Sequence, residues 1–82
     1  MILVDIYLPV LDKTYDFSLD ENASVEDVTE EIIEVVCQQE QCELLGSPQD
    51  LILCQMERHR ILARDSTLSE NGICAGDCLA LL

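Results

Sequence analysis

The sequence predicts an α+β domain in which a mixed sheet of four to five strands wraps one helix, in the order β-β-α-β-β-β. Three observations lead there. Two stretches of period-two alternation open the chain, one stretch of helical spacing follows, and the remaining apolar blocks suit short strands. A chain of 82 residues with no repeat and no long Pro, Gly or Ser tract has room for one such domain, spanning residues 1–82.

Ile2 to Leu8 alternates, with Ile2, Val4, Ile6 and Leu8 on one side and Leu3, Asp5 and Tyr7 on the other, as a half-buried strand does. Pro9 ends regular pairing, Leu11-Asp12-Lys13 forms the turn, and Thr14 to Leu19 resumes alternation with Tyr15, Phe17 and Leu19 inward. The chain thus begins as a hairpin. After Asp20-Glu21-Asn22, Ser24 is placed to cap a helix, with Asp27 three residues on and Val25, Val28, Ile32, Val35 and Val36 at helical spacing, running to about Cys42. A crossover of that length lets the chain return parallel to the first strand. Leu44 to Pro48 closes the helix, and Leu51 to Met56 reads as the third strand. Glu57 to Arg60 is a charged loop, Ile61-Leu62 a minor strand, and Thr67 to Gly72 a short helical turn stopped by glycine. Asp77 to Leu82 is the last strand, with Leu79 and Leu81 facing one way and Cys78, Ala80 and Leu82 the other.

Composition excludes several classes of function. No apolar block approaches the ~20 residues needed to cross a bilayer, so membrane insertion is not expected. Seventeen acids against Lys13, Arg58, Arg60 and Arg64 give a formal charge of −13, which opposes binding to a phosphate backbone or an anionic membrane surface. Nucleic acid is therefore not an expected partner. The start of the chain has an acid at Asp5 and no basic segment before its apolar run, unlike a signal peptide, and points to a cytoplasmic protein. Five cysteines, an odd number, fit reduced thiols better than a disulfide framework.

The strand pattern, the passage from Leu19 to Val28, and Thr67-Leu68-Ser69-Glu70-Asn71-Gly72-Ile73 followed by Gly76-Asp77-Cys78-Leu79-Ala80-Leu81 resemble the ubiquitin-like superfamily. The spacing of Leu68-Ser69, Gly72-Ile73, Gly76-Asp77 and Leu79 is similar to that of the YukD/EsaB group, small bacterial proteins encoded with type VII secretion systems. The resemblance implies a β-grasp fold and a cytosolic accessory or regulatory component that contacts secretion proteins. Ubiquitin and the related sulfur carriers need a flexible tail ending in Gly-Gly, whereas this sequence ends Leu79-Ala80-Leu81-Leu82, within the expected strand. Conjugation and sulfur carriage are therefore not expected here. The alternatives are a modifier or carrier with a longer precursor, and a homo-oligomeric structural module.

Candidate chemistry is thin. His59 is the only histidine and stands among Arg58, Arg60 and Arg64, so no hydrolytic triad assembles and no enzymatic activity is expected. Cys37 and Cys42 would lie roughly 140° apart around a helix, and the C-x3-C of Cys74 and Cys78 lacks the paired spacing of a zinc site. Buried free thiols are the plainer reading, and no metal or cofactor is expected. Three surfaces are candidates for protein contact. Glu26, Glu30 and Glu34 repeat at i,i+4 with no basic residue to offset them, a stripe suited to a basic partner or simply solvated. Arg58, His59, Arg60 and Arg64 form one cationic corner, able to receive an acidic segment or to neutralise Glu57 and Asp65. Leu3, Tyr7, Ala80 and Leu82 form an apolar strip on the sheet face away from the helix, where polar residues are usual.

Overall fold

In the computed structural model, residues 1–40 and 51–82 are described; Cys42 and the expected helix closure from Leu44 to Pro48 lie outside them. Strands β1 (Ile2–Leu8) and β2 (Lys13–Leu19), helix α1 (Val25–Glu40), and strands β3 (Leu53–Gln55), β4 (Arg60–Ile61) and β5 (Cys78–Leu81) follow in chain order. The sheet runs β2-β1-β5-β3-β4. β1 is antiparallel to β2 and parallel to β5, and β3 is antiparallel to β5 and β4.

The hairpin forms because alternation and turn chemistry agree. Asp12 takes a left-handed backbone (φ 51°), and the Leu11 and Asp12 amides donate to the Leu8 and Pro9 carbonyls. The pairing of Ile2 with Leu19, Val4 with Phe17 and Ile6 with Tyr15 then puts the apolar members of both strands on the helix side. Val4, Ile6, Leu8, Phe17 and Leu19 are buried there against Val25, Val28, Ile32 and Val36 of α1 and Leu53, Leu79 and Leu81 of the other strands. Full burial of such side chains contributes ~1.5–3 kcal/mol each. Gln55 is buried on β3 opposite Leu79, and its Oε1 has no partner among the described residues.

The start of α1 is closed by neighbours on every backbone donor. Ser24 Oγ accepts from the Asp27 amide at 3.1 Å, as an N-cap does. The Val25 and Glu26 amides donate to the Ser66 and Arg64 carbonyls, and Val28 donates to Ser24. Residues 64–66 are thereby tied to the helix start.

Besides one-residue shifts at the start of β2 and at both ends of β5, three features differ from the sequence-based expectation. β3 is regular only over Leu53–Gln55, because the chain turns at Met56, although Ile52 and Leu82 still exchange both backbone hydrogen bonds at 2.8 Å. β4 begins at Arg60, a residue expected in the loop; His59 takes a left-handed backbone (φ 52°) that reverses the chain one residue earlier. Residues 68–72 form a hydrogen-bonded turn, not a helix. Thr67 Oγ1 accepts from the Glu70 amide while Glu70 Oε1 accepts from the Thr67 amide, a reciprocal capping box around a single turn. Gly72 (φ 72°) ends it, with Ile73 donating back to the Leu68 carbonyl and both side chains buried.

Candidate functional site

The outward face of the sheet is divided into a polar and an apolar half. On the β2/β1 side, Leu3, Asp5 and Tyr7 pair with Ser18, Asp16 and Thr14, so acids and hydroxyls dominate. On the β5/β3/β4 side, Ala80 pairs with Cys54 and Cys54 with Ile61, while Leu82 faces Ile52, so aliphatic and sulfur side chains dominate. Alternation puts these residues on the face opposite the core. Leu3, Ile52, Met56, Ile61 and Leu82 are all exposed large apolar residues.

Leu3 and Leu82, at 56% and 55% exposed, stand on this face in the expected register. Tyr7 is half-buried, and its hydroxyl donates to Asp12 Oδ1 at 3.1 Å, which fixes the ring over the β1–β2 turn. That bond, together with the Asp12 charge, pushes the phenol pKa up. Ala80 belongs to the same face by register but is 6% exposed, so it floors a shallow groove and offers little contact area. Cys54, Met56, His59 and Leu82 line that groove around it.

Ile52, Met56 and Ile61 are the members that sequence reading missed. Ile52, Cys54 and Met56 do alternate with Leu53 and Gln55. Leu51 to Met56 is apolar on both alternating sets except at Gln55, so composition gave no way to tell outside from inside.

The cationic corner is dispersed. Arg60 donates through Nη2 to the Asn71 carbonyl, and Arg64 through Nη1 to the Leu51 carbonyl at 3.2 Å. Arg58 and His59 are exposed in the β3–β4 turn, beside the groove that His59 lines. Glu26, Glu30 and Glu34 are all exposed along α1. Farther along the helix, Glu40 receives Lys13 Nζ at 2.9 Å and the Tyr15 hydroxyl, which together hold its carboxyl below the ordinary glutamate range.

Among the described residues no helix is long and apolar enough to cross a membrane. None of them gathers three His, Cys, Asp or Glu side chains as a metal site.

Comparison with known proteins places this geometry. The model of a family described as WXG100 protein secretion system (Wss), protein YukD, matches residues 2–81. No curated protein matches the sequence. Among solved structures, the ubiquitin-like domain of an Arabidopsis thaliana protein superposes with a TM-score of 0.74 at 20% identity, covering 99% of this chain and 74% of that one. The ubiquitin of Caldiarchaeum subterraneum gives 0.70 at 22% identity, covering 98% and 89%. A computationally designed protein based on human erythrocytic ubiquitin gives 0.72 at 26% identity, covering 100% and 90%. The fold is thus the β-grasp of ubiquitin-like proteins.

Proposed function

The chain belongs to the YukD family of WXG100 secretion-system proteins, and we propose that it serves that machinery in the cytoplasm as a non-covalent docking module with no catalytic activity. The observation that carries this reading is the apolar half of the sheet face, where Ile52, Met56, Ile61 and Leu82 are exposed and Met56 and Leu82 line a groove floored by Ala80. A sheet face left open normally carries polar residues, and the β2/β1 half of this face follows that rule.

Charge defines the partner. Asp5 and Asp16 border the apolar strip on one side, and the whole chain carries −13. The matching surface is an apolar anchor flanked by lysines or arginines, steered in by long-range attraction and held by apolar burial. Glu26, Glu30 and Glu34 add to the steering field from the helix, while Arg58 and His59 favour an acidic residue at the β3–β4 end. The same charge opposes pairing of two copies, which favours a heterologous partner over a homo-oligomer.

Calorimetric titration with the cytosolic segments of the host's WXG100 secretion proteins tests the reading. One of them should bind the wild type, and a Tyr7→Glu, Leu82→Glu double variant of unchanged far-UV spectrum should lose at least about tenfold in affinity, about 1.4 kcal/mol. Equal affinities would show that the sheet face is not the docking surface.

A further inference from the structure

Sequence spacing associates Cys74 with Cys78, but the sheet brings Cys78 to β3 instead. Cys54 pairs with Ala80 and Gln55 with Leu79, so the next rung is Met56 opposite Cys78, with the Met56 amide donating to the Cys78 carbonyl at 3.2 Å. Side chains alternate along both strands, so Cys54, Met56, Cys78 and Ala80 occupy the four corners of one outward patch. Three corners carry sulfur. The fourth carries only a methyl group, which leaves the centre of the patch uncrowded. Cys78 Sγ stands 3.4 Å from Met56 Sδ, a separation at which both can reach one ion with bonds of about 2.3 Å. Cys54 is the diagonal neighbour of Cys78, at the ~7–8 Å backbone spacing of such pairs, and it lines the same groove as Met56. That spacing is long for a disulfide but suits two side chains leaning toward a shared centre.

We propose that Cys54, Met56 and Cys78 form a binding site for a soft monovalent cation, copper(I), held by two thiolates and one thioether. The donor set selects the ion. Thiolate and thioether sulfur favour copper(I), whereas structural zinc takes four nitrogen or thiolate ligands in a closed tetrahedron. Both thiols are partly solvent-accessible and Met56 is exposed, so an ion can enter from solvent. Asp5 pairs with Cys78 across β1 and β5 and places negative charge beside the site. Binding displaces the thiol protons to solvent with no change in copper oxidation state. The inference needs no partner protein and stands independently of the docking reading.

The test is an anaerobic titration of the fully reduced protein with copper(I) against the chromogenic chelator bicinchoninate. A Cys37→Ser, Cys42→Ser, Cys74→Ser triple variant should withdraw one equivalent of copper, as tightly as the wild type. Adding Met56→Leu, Cys54→Ser or Cys78→Ser to that background should weaken binding by about tenfold or more, the order found for disturbed metal sites, with far-UV spectra showing the fold retained. If the triple variant withdraws no copper, the assignment is wrong. It is equally overturned if Met56→Leu binds as tightly as its parent, because an adventitious pair of thiols would not sense the loss of the thioether.

Discussion

At Asp5, two carboxyl groups face each other across β1 and β2, since Asp5 pairs directly with Asp16 on the open face. Their side-chain hydrogen bond, then burial, then the Asp16 charge push the Asp5 carboxyl above its ordinary range. A folded-state value that is raised favours the protonated form, so the pair's contribution is complete below the unfolded value of about 3.9 and is lost as pH rises through the folded value. Like charges directly opposite each other on neighbouring strands are destabilising. Asp5→Asn should therefore raise the melting temperature at pH 7, and the gain should disappear below about pH 4, measured by thermal melts across pH. Retention of this repulsive pair beside the apolar strip is what a basic partner would relieve. Residue by residue, Leu3, Tyr7 and Leu82 were legible because alternation alone puts them on the outer face. Ala80 was placed on the right face, yet its burial comes from neighbours on adjacent strands, which alternation within one strand does not contain.

The hairpin and the helix meet through a latch at Glu40, where Lys13 and Tyr15 from β2 converge. The Tyr15 hydroxyl, and then Lys13, hold the Glu40 carboxyl low. A depressed folded value contributes stability above the unfolded value, and that contribution is lost as pH falls through the folded one. Tyr15→Phe keeps the ring and removes the bond, so it should lower the melting temperature at pH 7, with the difference from wild type shrinking as the solution is acidified below about pH 4. At the other end of the helix, the Ser24 cap was readable from sequence, while its closure by residues 64–66 was not. Caps are local, whereas the carbonyls of Arg64 and Ser66 arrive from about forty residues away. The same distinction explains β4. Two residues carry too little periodicity to fix a strand, and the left-handed His59 that starts it one residue early leaves no pattern in its neighbours.

Over the whole molecule, the order of strands and helix along the chain was legible from their periodicities, but the strand that runs parallel beside β1 is β5, and β3, which follows the helix, pairs antiparallel to β5 instead. The division of the open face was not legible, because it depends on which strands become neighbours: β5 between β1 and β3 gathers sulfur and aliphatic residues from segments far apart in sequence. The resulting surface, apolar over β5/β3/β4 and bordered by Asp5 and Asp16 on the β1 side, is the basis of the proposed docking. Amide chemical-shift mapping of the isotope-labelled protein, on addition of the secretion component it binds, tests that claim most directly. Perturbations concentrated at Ile52, Met56, Ile61 and Ala80 to Leu82, reaching Leu3 and Tyr7, are predicted. Perturbations confined to α1, with the β3 and β5 amides unmoved, would contradict it.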